Sequence, residues 1–194
     1  HRTLIPIPDA INRLTKIGPG TYLMLGLTSG EGGEHIAVAD KEYHDFGEYC
    51  KKPALKEWPR FNFNYKYIAG YPGKSVFYDF FECRNLVRKY GVNEQLLEEI
   101  HFGDVPDRGN TYERISEGTI EPYFCNALAH DQCIYVLYYE GYSGRQIFGD
   151  KTAIPELQIW DWDGNLKRRI QLDRPFDIYS VSPDDKTLYA MNTN

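Results

Sequence analysis

No stretch of this chain approaches the roughly 18 consecutive apolar residues that a membrane-spanning helix needs, so no helical span is expected. A dominant charge is also missing. The 28 Asp and Glu are interspersed with 22 Lys and Arg, for a formal charge of −6. Without a basic face the chain lacks the electrostatic footprint of a nucleic-acid or anionic-membrane binder, and neither partner is expected. Cysteine is sparse: Cys50, Cys83, Cys125 and Cys133 lie 33, 42 and 8 residues apart. That spacing matches no paired zinc-ligand pattern, so no metal is expected. Cys125 and Cys133 flank a predicted tight turn, but with His130 and Asp131 at its tip residue 133 faces residue 128, and a disulfide would need another register. All four read as small buried hydrophobes in strands. The first residues, HRTLIPIPDA, lack the apolar segment of a secretory signal, and the start at His1 reads as a cut that leaves the compartment open.

Catalytic constellations are missing too. The five His, including His101 and His130, have no Ser, Cys or paired-His context that marks a triad or a metal site. EGGEH at 31–35 is Gly-rich but has no Lys-Ser/Thr ending and no following helix to aim amides at a phosphate. Asp161, Asp163 and Asn165 could open a calcium loop, yet Leu166 to Ile170 reads as a strand where further oxygen donors are needed, so a plain Asp-Gly hairpin is preferred. A sialidase Asp-box at Ser182 fails at Lys186, Leu188 and Tyr189. No cofactor is expected.

What is abundant is aromatic surface: 16 Tyr, 10 Phe and 3 Trp make up 15% of the chain, and such side chains suit pleated, half-buried strands. Four segments repeat one pattern of strand, short turn and strand: INRLTKIGPGTYLMLGL, YKYIAGYPGKSVFYDFF, FCNALAHDQCIYVLYYE and DIYSVSPDDKTLYAMN. Each reads as a hairpin. Their turns, marked by Pro19, Pro72, His130 and Pro183, are 53, 58 and 53 residues apart. A third and fourth strand follow in HIAVADKEYHDFGEYC, NLVRKYGVNEQLLEEIHF and LQIWDWDGNLKRRIQL, where Asp163-Gly164 suits a two-residue connection. VNEQLLEEI has Leu96, Leu97 and Ile100 at helical spacing, but its place in the repeat predicts a strand.

Four antiparallel strands recurring at this period predict an all-β fold, a β-propeller of four-stranded blades. A β-sandwich also has short strands and turns, but does not require one unit to return at a fixed spacing. The repeats run approximately over 10–50, 62–103, 123–173 and 176–194, the last incomplete, in a single propeller fragment. About 3.5 blades of six are therefore expected, with the remaining blades of a parent chain as partners. Six blades need roughly 330 residues at this period, and a closed ring removes the exposed strand edges that an open stack leaves.

Two stretches carry a family likeness. SPDDKTLYAMN is similar to the S-P-D-G-K turn of TolB-type propellers, with Asp185 where Gly is usual. CIYVLYYEGYSGR followed by LQIWDWDGNLKRRIQLDRP resembles the late blades of TolB-like six-bladed propellers of gut anaerobic bacteria, with their "IYxLY" strand and "WDG" hairpin. The likeness covers residues 125–194. It implies a six-bladed ring, exported to an extracytoplasmic site and lipid-anchored, and it implies no activity.

Connection lengths point to a face. In a four-stranded meander the second-to-third connection emerges at the same end as the link to the next sheet. TSGEGGE, KKPALKEWPR, GDVPDRGNTYERISEGTIEP and EGYSGRQIFGDKTAIPE all belong to that end, and the longest exceed the roughly 12 residues usual for loops without secondary structure. They carry Trp58, Arg60, Arg108, Tyr112, Arg114, Tyr142 and Arg145, residue types enriched at recognition surfaces. The expected function is a non-enzymatic recognition or scaffold module that binds a protein or glycan there. The alternative is an exported six-bladed hydrolase or lyase with catalytic groups at the ring centre, since propellers host enzymes. Against it, the expected inward ends of first strands offer Tyr65, Tyr67, Asn126, Tyr179 and Ser180, a poor acid/base inventory.

Overall fold

The computed structural model describes residues 11–18, 21–26, 34–39, 42–45, 65–93, 95–102, 110, 114, 117, 119–176 and 178–192; among residues 11–45, side chains are described for 15–18 and 21–23. The described chain is all-β. Strands β1 (Ile11–Gly18), β2 (Thr21–Gly26), β3 (Glu34–Ala39) and β4 (Glu42–Asp45) pair antiparallel in sequence order. The order repeats in β5 (Lys66–Gly70), β6 (Val76–Phe81), β7 (Leu86–Gly91) and β8 (Leu96–His101), and again in β9 (Phe124–Ala129), β10 (Ile134–Tyr138), β11 (Glu156–Trp160) and β12 (Leu166–Gln171). A final hairpin joins β13 (Ile178–Val181) to β14 (Leu188–Met191). All four expected hairpins are present, and the segment ending in LLEEIH is a strand.

The sheets pack with their first strands together, β1 against β5 and β5 against β9. Every residue of β5 and of β10 is buried, whereas β8 and β12 bury none of theirs fully. A sheet covered on both faces has no polar side, so its inner strands lose the apolar-polar alternation and read as continuous apolar runs. Leu96 and Ile100 are the half-buried residues of β8. Their spacing of four places them on one face of a helix or of a strand, which is why the segment looks helical in isolation.

The aromatic content forms the joint between the second and third sheets. Phe80 meets Phe124 at 5.5 Å and Trp160 at 5.7 Å between ring centroids, and Phe102 reaches Trp160 at 5.9 Å and Tyr138 at 5.5 Å. A smaller core of Ile17, Leu23, Ile68, Phe77 and Tyr90 joins the first and second sheets. There Gly70 is needed for its lack of a side chain: a Cβ on it would stand 2.6 Å from Ile17 Cγ2, while the Thr15 hydroxyl donates to the Gly70 carbonyl at 3.2 Å. Within the second sheet Lys66 Nζ and Asp79 Oδ2 form an ion pair at 3.1 Å, with side chains 5% and 0% exposed.

Several turns depart from expectation. Asp163-Gly164 is not a two-residue connection. Trp160 pairs with Leu166, the Gly164 amide donates to the Asp161 carbonyl at 3.2 Å, and Gly164 takes φ +100°. This is a turn followed by a left-handed residue, the arrangement of a three-residue hairpin loop, and Gly supplies the positive φ. In the third sheet the tip is Asp131-Gln132, because the His130 amide donates to the Cys133 carbonyl at 2.8 Å. Cys133 therefore stands opposite His130 rather than residue 128, and Cys125 opposite Leu137. Cys83, Cys125 and Cys133 are free thiols, but only Cys125 lies in a strand; Cys83 is buried in the β6–β7 turn and Cys133 is half-buried beside its tip. Cys50 lies outside the described residues. Among the described residues no helix is long and apolar enough to cross a membrane.

Candidate functional site

The meander order separates two ends. Strand-one-to-two and strand-three-to-four turns gather at one end, and their side chains bond to the neighbouring sheets. Lys74 in the β5–β6 turn pairs with Asp131 in the β9–β10 turn at 3.1 Å. Tyr78 donates to the Trp162 carbonyl at 2.8 Å and Lys89 to that of Asp163 at 2.9 Å, while within the third sheet the Trp162 indole N–H donates to the His130 carbonyl at 3.1 Å. His130 Nδ1 lies 2.8 Å from Asp185 Oδ1, which also accepts the Tyr135 hydroxyl at 3.0 Å. Burial, then the Cys133 and Asp185 partners, push the Tyr135 hydroxyl well above its ordinary pKa, so it stays a donor. Asp185 itself takes φ +58°. A left-handed position favours Gly, and Asp tolerates it better than most residues.

Asp161 organises the β11–β12 turn. Its Oδ1 accepts the Asp163 amide at 3.0 Å and the Asn165 amide at 2.8 Å, and the Asn165 carboxamide also reaches it. Burial alone raises the Asp161 pKa, but the Asn165 and Asp163 hydrogen bonds and the Lys167 charge outweigh it and hold the carboxyl below its ordinary value. The Asp161, Asp163 and Asn165 set is thus a self-satisfied turn. Among the described residues no group of three or more His, Cys, Asp or Glu could hold a metal ion.

At the opposite end the main chain does the tying. The Glu82 amide donates to the Tyr65 carbonyl, the Tyr123 amide to the Glu82 carbonyl and the Tyr139 amide to the Tyr123 carbonyl, at 2.9, 2.8 and 2.8 Å. The Gly144 amide donates to the Ile120 carbonyl at 2.6 Å, so the segment at Ile120 and the start of the 140–156 connection lie together. Asn110, a buried residue that the sequence reading passed over, donates to the Cys83 and Glu121 carbonyls at 3.1 Å each and accepts the Glu121 amide at 2.9 Å.

The 140–156 connection is not structureless. Residues Arg145–Gly149 make one π-helical turn. Ser143 and Gln146 bond reciprocally ahead of it: the Ser143 amide and hydroxyl donate to Gln146 Oε1 at 2.9 and 3.0 Å, and the Gln146 amide donates back to Ser143 Oγ at 3.4 Å. This is the capping-box pattern, legible as S-x-x-Q. The turn sends Ile147 inward and leaves Phe148 50% exposed. Isolated π turns often mark functional positions.

Among the described residues two cavities open at this end. The larger, about 330 Å³, lies where first strands begin: Tyr67 on β5, Cys125 and Asn126 on β9 and Ile178 on β13 meet Ile147 and Phe148 of the π turn, with Leu137 and Tyr139 behind them. Asn126 is the extra residue of a bulge, since Cys125 pairs with Leu137 and Ala127 with Val136, and it takes φ +52°. Bulges re-aim side chains. The Asn126 carbonyl accepts the Tyr179 hydroxyl at 2.8 Å, its carboxamide has no hydrogen-bond partner among the described residues, and the residue lines the cavity. The smaller cavity, about 240 Å³, is lined by Tyr138, Glu140, Tyr142, Ile154, Glu156 and Gln171.

Of the recognition residues expected from sequence, Trp58, Arg60, Arg108 and Tyr112 lie outside the described residues. Arg114 turns back on its own link, donating to the Thr119 carbonyl at 2.8 Å and to Glu121 Oε1 at 3.1 Å. Tyr142 packs edge-on to Tyr139 at 6.5 Å and lines the smaller cavity. Arg145 is 78% exposed, and among the described residues its side chain is held by a 3.4 Å pair with Asp150. Of the expected inward residues, Tyr67 and Asn126 meet at the larger cavity. Tyr179 does not face it: the side chain is buried, and its hydroxyl donates to the Asn126 and Tyr135 carbonyls. Phe148, Ile147 and Ile178 were not expected there. No family model matches the chain, and no curated protein matches it.

Proposed function

We propose that this protein is a non-enzymatic recognition module built as a β-propeller, which presents the end bearing its long connections to a protein or glycan partner. The packing of first strand on first strand from sheet to sheet, with outermost strands left exposed, supports the propeller. The turn and hairpin likenesses to TolB-like proteins add six blades and an extracytoplasmic location to the proposal. Recognition is carried by one observation: among the described residues the 140–156 connection, tied at Gly144 to Ile120, lines two cavities, with Tyr142 at one and Phe148 at the other.

The test is a pull-down and glycan-array screen of the full chain, repeated with Tyr142→Ala, Arg145→Ala and, at the turn end, Lys186→Ala. A hot-spot truncation costs about 2 kcal/mol or more in binding, so loss is expected with Tyr142→Ala or Arg145→Ala and not with Lys186→Ala. Loss confined to Lys186→Ala places the site at the wrong end and ends this reading.

A further inference from the structure

The larger cavity narrows the choice between the two partner classes. Among the described residues its lining has no Asp, Glu, Lys, Arg or His, so no described side chain there compensates a charged ligand for its lost hydration. Aliphatic Leu137, Ile147 and Ile178 and the rings of Tyr139 and Phe148 supply its walls. The polar groups are few. The Tyr67 hydroxyl already donates to Glu82 Oε2 at 2.8 Å, and the Asn126 carboxamide is the group left with both a donor and an acceptor to offer. A pyranose presents hydroxyls around its whole rim, and each one buried here without a partner loses its hydration uncompensated. An apolar side chain carries no such groups, and the amide beside it matches a carboxamide donor for acceptor. The volume, about 330 Å³, lies at the small end of the roughly 300–1,000 Å³ range of ligand pockets, which suits one ring-sized group.

Resting on the recognition reading above, we propose that this cavity receives one uncharged apolar side chain of a protein partner, with the adjoining peptide amide hydrogen-bonded to the Asn126 carboxamide. The left-handed bulge serves this arrangement. At φ +52° Asn126 holds a conformation costly for most side chains, and as the extra residue of the bulge it lines the cavity outside strand register. Phe148 at the mouth is half-exposed and closes over the entering group.

The test uses the full chain and simple probes: N-acetyl-phenylalanine amide and N-acetyl-leucine amide, against N-acetyl-lysine amide and methyl glucoside, followed by the isoleucine methyl resonances of Ile147 and Ile178. The two uncharged amides are expected to shift both methyls saturably, and the charged amide and the sugar are not. Asn126→Gly removes the carboxamide yet suits the positive φ, so the fold survives; it should weaken the amide probes about tenfold, the worth of one hydrogen bond. Phe148→Ala should weaken them as well. No shift with either uncharged amide overturns the proposal, and so does an Asn126→Gly variant that binds them unchanged. Stronger shifts with methyl glucoside overturn the side-chain assignment while leaving a recognition site at this end. Partner capture separates the two readings: capture still lost in Tyr142→Ala, without any probe binding, removes the cavity proposal alone.

Discussion

The two ends of the molecule solve the same problem with different parts of the chain. At the turn end, sheets are joined through side chains: Lys74 to Asp131, His130 and Tyr135 to Asp185, Tyr78 and Lys89 to the carbonyls of Trp162 and Asp163. At the end of the long connections they are joined through backbone amides and the buried Asn110, from Tyr65 through Glu82 and Tyr123 to Tyr139. A side chain spent on a neighbouring sheet is unavailable to a partner. Where the backbone carries the joint, Tyr142, Arg145 and Phe148 are free to line cavities and face solvent.

If that division holds, substitution should hurt stability at one end and spare it at the other. The largest effect is expected from Asp185→Ala. It strips the buried Tyr135 hydroxyl of its acceptor and puts Ala at φ +58°, for a combined cost of about 3 kcal/mol, read as a shift of the urea midpoint. Asp185→Gly loses the same bonds but relieves the backbone, so it should cost less than the Ala variant. Equal and negligible effects of the two would break the comparison.

A smaller, pH-dependent effect is expected at Asp161. Its carboxyl is held below its ordinary value of 3.8 in the folded protein, so the stabilisation is complete above that value and is lost as the pH falls through the lower, folded one. Asp161→Asn should therefore cost about 1 kcal/mol at neutral pH, a single charge-assisted capping interaction, and the gap from the unsubstituted protein should close in acid. Parallel stability curves for the two proteins would show that the carboxylate does not support the turn.

The smallest effect belongs to the other end. Arg145 is 78% exposed and its 3.4 Å pair with Asp150 is open to water, so Arg145→Ala should alter stability by less than about 0.5 kcal/mol. A loss comparable to that of Asp185→Ala would mean that the long connections also hold the sheets together through their side chains.

How much of this was legible can be judged at particular residues. Pro72-Gly73 closes β5–β6 with Gly73 at φ +92°, and Ser182-Pro183-Asp184-Asp185 closes β13–β14 with the Asp185 amide on the Ser182 carbonyl at 2.9 Å. Such turns are local chemistry, readable wherever Pro presets φ and Gly or Asp accepts the left-handed region. Ser143-x-x-Gln146 was equally readable as a cap, though not the π turn that follows it. Asn126 was placed on a first strand, but the bulge that frees its carboxamide depends on how Ala127 and Cys125 register against β10. Tyr179 was expected to face inward and is instead consumed by carbonyls of residues 126 and 135.

By itself the sequence determined the strands, the hairpins and their recurrence, because each follows from residues close together in the chain. Only the tertiary structure decided which side chains join sheets and which line a cavity. Tyr67, Asn126, Ile147 and Ile178 come from four separate segments, and they share one wall only after the sheets have packed on the rings of Phe80, Phe124 and Trp160.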